Sequence, residues 1–318
     1  MRVPTVVPEM PRLPLTIIGG EPGAGKTTLL GQLLAQEHAS EIAIVLDSLA
    51  PLGIDASRLA RVDGPYVTLT NGAICCELTG DLSAELAELR RRLCDTAHVL
   101  IEARGDASLR RVAGYGYMPG YRLDGIIVVM NARDIHDRMA NAALRRRMTA
   151  DLQAADLLVV NKLDGVEHGT RALTRAWLDE DLPRLRVIET SQGRVAESLL
   201  LGVSPDVARH DARAVPGNWE ATTYRTVARK RQPRSTEPTE PMCRIWRIET
   251  DEPIAAQRFR SWLSLLPHTV VRGSGNVLIE EDPRLRYHFH MIGHRWQLQR
   301  EQPWGQAAPE TQLTLVGM

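Results

Sequence analysis

Short and almost continuous apolar runs recur along the first two thirds of the chain, separated by stretches with helical spacing. The runs lie at residues 13–18, 42–46, 67–69, 98–102, 125–130, 157–160 and 186–190. The intervening segments with helical spacing lie at residues 81–93, 133–155, 171–178 and 195–201. Buried strands that alternate with amphipathic helices are typical of a parallel sheet with helices on both faces. This part of the chain is therefore predicted to have an α/β fold.

The pattern changes in the last third of the chain. Residues 229–241 combine basic residues with Pro, Ser, Thr and Glu and contain almost no apolar side chains, as an exposed linker does. After them, strand-like segments are predicted at residues 243–250, 270–280 and 287–298, with a helix at 255–266. The predicted organisation is an α/β domain at residues 13–213, a linker at 214–241 and a smaller α+β domain at 242–318.

A glycine-rich stretch lies between the first predicted strand and the helix that follows it. It reads Gly20-Glu21-Pro22-Gly23-Ala24-Gly25-Lys26-Thr27-Thr28, which matches the phosphate-binding P-loop. The backbone of such a loop directs N–H groups at phosphate oxygens, and the helix N-terminus adds partial positive charge. Lys26 is expected to reach the β- and γ-phosphates, and the Thr27 hydroxyl to bind Mg²⁺. An ordinary glycine-rich turn is the alternative, which the flanking strand and helix disfavour.

A second motif, Asn161-Lys162-Leu163-Asp164, follows a later predicted strand. An Asp carboxylate can accept hydrogen bonds from both the ring N–H and the exocyclic amine of guanine, whereas adenine offers no such donor pair. Together with the upstream P-loop, the motif favours GTP over ATP, with Asn161, Lys162 and Asp164 as base-binding residues.

Two further features suggest metal ions. Glu102 ends a predicted strand and is expected to complete the Mg²⁺ site beside Thr27, with a surface salt bridge as the alternative. Cys75 and Cys76 are adjacent, and their thiolates would favour Zn²⁺ or a similar ion. Two cysteines are fewer than a full tetrahedral set, so small buried thiols that merely pack are an equally good interpretation.

Overall composition narrows the functional class. The chain has 318 residues with 39 basic and 39 acidic side chains, so no global field favours nucleic acid or an anionic membrane. No apolar run approaches the roughly 20 residues that span a bilayer, and no secretory segment precedes the first strand. Four cysteines do not form a disulfide framework. A cytoplasmic protein is expected.

These motifs, in this order, resemble the CobW-type family of P-loop GTPases, metal-handling chaperones that include nitrile hydratase activators and zinc-regulated members. The likeness covers residues 13–202 and extends to 259–263 and 271–275 in the tail. It implies a P-loop fold, slow GTP hydrolysis with Mg²⁺, and catalytic roles for Lys26, Thr27 and Glu102. It also implies that Cys75 and Cys76 bind Zn²⁺ or Co²⁺, and that a client metalloprotein is the partner. A homodimer is left open.

The chain departs from the family pattern at three places. Ala73 stands where the Cys-x-Cys-Cys metal motif has its first cysteine, Ser48 and Pro51 replace two acidic residues, and Arg104 lies next to Gly105 where the family has Ser. The nucleotide motifs are intact. The alternative is therefore a GTP-dependent interaction module with a degenerate metal site. A P-loop kinase is a further alternative, against which the Asn161–Asp164 motif argues.

Overall fold

The computed structural model describes most of the two predicted domains. The described residues are 12–35, 42–46, 59–63, 66–69, 74–77, 81–92, 98–103, 107–202 and 243–318, and of 59–63, 66–69 and 74–77 only the backbone is described. The chain divides into two compact units, residues 1–126 and 127–318. No helix among the described residues is long and apolar enough to cross a membrane.

The first unit begins with a sheet that is mainly parallel. Its strands are β1 (Leu13–Gly19), β2 (Ile42–Leu46), β3 (Leu59–Asp63), β4 (Tyr66–Leu69), β5 (Ile74–Glu77) and β6 (His98–Glu102). Their order is β3-β4-β5-β2-β6-β1. The pairs β5–β2, β2–β6 and β6–β1 are parallel, whereas β4 pairs antiparallel with both β3 and β5. The helices are α1 (Lys26–Leu34), α2 (Leu82–Arg92) and α3 (Leu109–Ala113), and a 3-10 helix covers Gly114–Tyr117.

A buried polar cluster joins the strands that carry the P-loop and Glu102. The Thr16 hydroxyl donates to Asp124 Oδ2 at 2.8 Å, and its oxygen lies 2.8 Å from His98 Nε2. Because the single hydroxyl hydrogen goes to the carboxylate, the imidazole Nε2 acts as the donor to Thr16. All three residues are buried, so these bonds fix the side chains between apolar neighbours.

The second unit continues the α/β pattern. The strand β7 (Tyr121–Asn131) crosses the boundary between the units, and β8 (Leu157–Asn161) and β9 (Arg186–Glu189) follow it in parallel pairing. The helices are α4 (Ala132–Ala140), α5 (Ala142–Ala154), α6 (His168–Asp181) and α7 (Glu197–Leu201), and a 3-10 helix covers Leu163–Gly165. The strand β8 is buried along its whole length, which accounts for its continuous apolar sequence.

The C-terminal part of this unit is an antiparallel sheet with one helix. Its elements are β10 (Arg244–Thr250), α8 (Ala256–Ser264), β11 (Val270–Leu278), β12 (Leu285–Ile292), β13 (Arg295–Pro303) and β14 (Thr311–Gly317), and the strand order is β10-β14-β11-β12-β13. Phe259 and Leu263 of α8 pack with Val277, Phe289 and Leu315 of the sheet in one apolar core. Phe259 and Phe289 meet edge to face, with ring centroids 5.3 Å apart.

The predicted fold class is confirmed: parallel strands alternate with helices, and a smaller α+β domain follows. One helix prediction was wrong, because residues 133–155 form two helices that meet at Asn141. Asn141 is extended (φ −109°, ψ 115°), and its Oδ1 accepts from the N–H groups of Ala143 and Leu144. An asparagine that caps a new helix ends the preceding one. The domain limits remain a prediction, and the linker at 214–241 lies outside the described residues.

Candidate nucleotide-binding site

The loop between β1 and α1 has the backbone conformation that its glycines allow. Gly20, Gly23 and Gly25 have φ angles of 132°, 79° and 100°, which side chains with a Cβ rarely adopt. Gly25 is the N-cap of α1, and the helix begins at Lys26. The first N–H groups of a helix have no partner within it, so they are available to an anion at this end. The loop therefore has the backbone geometry that a phosphate site requires.

Lys26 is held at the mouth of this loop. Its Nζ donates to the carbonyl oxygens of Gly20 at 2.8 Å and Glu21 at 3.2 Å. Burial lowers the pKa of Lys26, and the nearby carboxylates of Glu102 and Glu21 act in the opposite direction. An ammonium group that is buried beside a loop of N–H donors is placed to interact with phosphate oxygens.

Thr27 and Glu102 come together although they are far apart in sequence. The Thr27 hydroxyl donates to Glu102 Oε1 at 3.0 Å, and the second carboxylate oxygen lies at 3.4 Å. The parallel register that pairs Ile18 with Glu102 brings the end of β6 beside the start of the P-loop. Glu102 is only 3% exposed, which argues against the alternative of a surface salt bridge. A hydroxyl and a buried carboxylate are hard oxygen ligands, and this donor set fits Mg²⁺.

The second motif is built at the end of β8. Lys162 has a left-handed backbone (φ 62°, ψ 37°), and the 3-10 helix that follows carries Asp164, whose side chain is exposed. Asn161 is 1% exposed, and its Oδ1 accepts from the N–H of Gly193 at 2.9 Å. Asn161 thus fastens the motif to the loop after β9, and Asp164 is exposed beside it.

The loop after β9 also supports Asp164, which the sequence analysis did not anticipate. The N–H of Asp164 donates to Ser191 Oγ at 3.1 Å, and the N–H of Leu163 donates to the carbonyl of Thr190 at 3.3 Å. Thr190 Oγ1 in turn donates to the carbonyl of Arg194 at 2.5 Å. The available signal was a Thr-Ser pair directly after a strand, with Gly193 two residues further on. Polar residues at such a strand end commonly line ligand sites.

Comparison with known proteins identifies the family. A family model described as the CobW/HypB/UreG nucleotide-binding domain matches residues 14–188, which is more than half of the chain. The chain belongs to this family. Residues 243–318 match the cobalamin synthesis protein CobW C-terminal domain. The CobW resemblance inferred from the motifs is therefore confirmed.

The individual relatives have low sequence identity to this chain. A protein named zinc chaperone CobW from Pseudomonas aeruginosa is 27% identical over 232 residues, which is 63% of this chain and 62% of that protein. One named zinc chaperone YjiA from Escherichia coli is 22% identical over 96% of this chain and 93% of its own length. The crystal structure of Zn(II)-bound YjiA GTPase has a TM-score of 0.44 at 19% identity, covering 97% of this chain and 95% of that one. The chain thus spans less than two thirds of the CobW relative.

The cysteine pair of the CobW resemblance lies on a described strand, but its side chains are not described. Cys75 and Cys76 belong to β5, where only the backbone is placed. Ala73, Ser48, Pro51 and Arg104 all lie outside the described residues. Within the parts of the chain that are described, no three His, Cys, Asp or Glu side chains form a group that could hold a metal ion. Zinc or cobalt binding at the cysteines stays a prediction.

Proposed function

We propose that this chain binds Mg·GTP and hydrolyses it, as a member of the CobW group of metal-handling GTPases. The observation that carries the proposal is the Thr27–Glu102 hydrogen bond of 3.0 Å beside a P-loop of the required backbone geometry. Two relatives are named zinc-regulated GTPase metalloprotein activator 1, one of them from Schizosaccharomyces pombe, 25% identical over 58% of this chain and 47% of its own length. These names favour a metal-handling GTPase over an interaction module with a degenerate metal site.

The phosphate-binding role falls to the loop and α1. The N–H groups of Gly20, Gly23, Gly25 and Thr28 would be directed at the phosphate oxygens, and Ala24 shapes the loop through its N–H, which donates to the Glu21 carbonyl at 3.2 Å. Lys26 offsets the charge that develops on the β- and γ-oxygens. Phosphoryl transfer to water depends mainly on positioning and on electrostatic stabilisation. The loop N–H groups and Lys26 are proposed to supply both at the phosphates. Glu102 and the Thr27 hydroxyl would hold Mg²⁺, which supplies positive charge next to the phosphates when bound.

Selection of guanine falls to the end of β8. The Asp164 carboxylate accepts from the two N–H donors on one edge of the base, Asn161 holds the loop, and the Lys162 side chain is exposed next to it. Adenine presents no matching pair of donors, so binding ATP would leave the carboxylate without partners. GTP and GDP are therefore the proposed ligands.

The cargo is proposed to be a divalent metal ion, Zn²⁺ or Co²⁺, which Cys75 and Cys76 bind and a client metalloprotein receives. Thiolates favour these ions over Mg²⁺. The names of the relatives support zinc handling, and Ala73 means that further ligands must come from elsewhere in the chain or from the client. We place the protein in the cytoplasm, where thiols stay reduced.

The test is Zn²⁺ and Co²⁺ binding by the purified chain, loaded in turn with GDP and with a non-hydrolysable GTP analogue, alongside a GTP hydrolysis assay. Stoichiometric binding that depends on the nucleotide and is lost in the Cys75→Ser, Cys76→Ser double variant is the expected result. Cys243→Ser serves as the matched control, because this half-buried thiol contacts Ser198 far along the chain from the pair. Hydrolysis without metal binding in either nucleotide state would contradict the cargo proposal alone.

A further inference from the structure

Two arginines contact the backbone of the turn that carries Asp164. The 3-10 helix Leu163–Gly165 is a single turn, in which the N–H of Val166 donates to the Leu163 carbonyl at 3.1 Å and leaves that oxygen a second lone pair. Arg133 Nε, from the first turn of α4, donates to the carbonyl of Gly165 at 2.7 Å. Arg171 Nη2, from the first turn of α6, donates to the carbonyl of Leu163. The residues on either side of Asp164 are thus each held by a guanidinium group from a different helix.

The position of Arg133 is fixed by the asparagine that ends β7 and caps α4. Asn131 ends β7, and its Oδ1 accepts from the N–H of Arg133 at 3.1 Å, which starts the helix there. Asn131 Nδ2 also donates to Asp134 Oδ1 at 3.2 Å. A methyl group added at Gly165 would overlap the Arg133 guanidinium, so the glycine leaves room for the arginine. Arg133 and Gly165 therefore lie close together, in addition to sharing the hydrogen bond between Nε and the carbonyl.

Stability alone does not account for Arg171. Among the residues that the structure describes, its buried Nε meets no hydrogen-bond acceptor, whereas its Nη2 donates to the Leu163 carbonyl. A buried donor without an acceptor destabilises the folded state. A side chain placed at such a cost fits a role in holding the Leu163 carbonyl, one residue before Asp164.

We propose that Arg133 and Arg171 are positioning residues that set the orientation of the Asp164 carboxylate and thereby the selectivity for guanine. This inference rests on the proposed function of Asp164. Two hydrogen bonds between carboxylate and base require the loop to be in place within a few tenths of an ångström, because hydrogen bonds weaken quickly with distance and angle. Removing either arginine takes away one of the hydrogen bonds that hold the turn, on one side of Asp164. Neither arginine is among the residues assigned to the phosphates or to Mg²⁺.

The experiment compares GTP with ITP, whose base lacks the exocyclic amine, in binding and hydrolysis. The wild type should prefer GTP. Arg171→Ala is expected to raise the Kd for GTP about fivefold and Arg133→Ala about threefold, as expected for one lost hydrogen bond. The Kd for ITP should change less, so that the preference for GTP shrinks. The value of kcat at saturating GTP should stay within about twofold, because the phosphate end is untouched.

Two further variants separate positioning from general loss of structure. Gly165→Ala should displace only the flexible end of Arg133 and reproduce the Arg133→Ala selectivity with little change in melting temperature. Arg175→Ala is the matched control, because Arg175 lies one turn further along α6 than Arg171 and pairs with Glu189 at 2.5 Å. It should leave the GTP preference unchanged.

The outcomes distinguish this inference from the proposed function. A wild type that prefers GTP, together with arginine variants that keep the full preference, would overturn the positioning role and leave guanine recognition intact. Equal loss of GTP and ITP affinity in Arg171→Ala and Arg133→Ala would likewise overturn it in favour of a merely structural role. A wild type with no preference for GTP over ITP or ATP would overturn both.

Discussion

The residues assigned to the phosphates and those assigned to the base are organised differently along the chain. The phosphate end consists of nine consecutive residues, 20–28, and one carboxylate, Glu102, from a neighbouring parallel strand. The base end combines residues 161–165 with the loop 190–194 and with side chains from α4 and α6. A phosphate site can be encoded locally because backbone N–H groups do most of the binding, whereas base recognition by one carboxylate requires several separate segments to hold it.

This difference predicts that single substitutions act unequally at the two ends. At the phosphate end one ionic group, the Lys26 ammonium, is proposed to contact the most highly charged part of the ligand. At the base end the supporting hydrogen bonds share the task, so the loss of any one is partly tolerated. The variants below test this expectation from the largest effect to the smallest.

Lys26→Ala should have the largest effect. It removes the buried ammonium group whose Nζ lies at the mouth of the P-loop, and charge-assisted hydrogen bonds are stronger than neutral ones. We expect the Kd for both GTP and GDP, measured by calorimetry, to rise by about 100-fold or more. Arg110→Ala, an exposed basic residue in α3, is the control and should bind normally. Unimpaired nucleotide binding by Lys26→Ala would remove the P-loop assignment.

Glu102→Gln should impair hydrolysis more than binding. The amide keeps an oxygen that can accept from Thr27 but loses the negative charge that favours Mg²⁺. We expect kcat to fall about 10- to 100-fold and the Mg²⁺ concentration for half-maximal rate to rise, with GTP affinity changed only a few-fold. Hydrolysis assayed across a Mg²⁺ titration checks this. An unchanged Mg²⁺ dependence would show that Glu102 has another role.

Ser191→Ala should have the smallest effect. It removes the exposed acceptor for the Asp164 N–H, and that N–H can turn to water instead. We expect a rise of about twofold to threefold in the Kd for GTP and little change in kcat. Ser264→Ala, whose hydroxyl bonds to Ser261 in the C-terminal domain, provides the control. A loss of GTP affinity as large as that of Lys26→Ala would contradict the view that several hydrogen bonds share the support of Asp164.

The same contrast explains how much of the site the sequence could predict. The P-loop and the Asn161–Asp164 motif are contiguous, and the strands on which they lie are apolar throughout, so both could be located from the sequence. The contact between Thr27 and Glu102 could also be predicted from the sequence, because the carboxyl ends of neighbouring parallel strands lie at one edge of a sheet.

The supporting residues could not be predicted in this way. Ser191 lies 27 residues from Asp164, and Arg133 lies 32 residues from Gly165, and no local pattern links either pair. The helix break at Asn141 could not be predicted, because the residues on both sides of it fit one continuous helical pattern. The break depends instead on Asn141 Oδ1, which accepts from two backbone N–H groups and caps the second helix. Side-chain to backbone contacts at long separation depend on the complete fold rather than on periodicity.

The most direct test of the account is the nucleotide preference of Asp164→Asn, measured as Kd values for GTP and XTP. The amide replaces one acceptor with a donor, so it should lose a hydrogen bond to guanine and gain one to the C2 carbonyl of xanthine. If Asp164 recognises guanine, Asp164→Asn should bind GTP at least about tenfold more weakly than the wild type does, and XTP more tightly. An unchanged GTP affinity would contradict guanine recognition by Asp164.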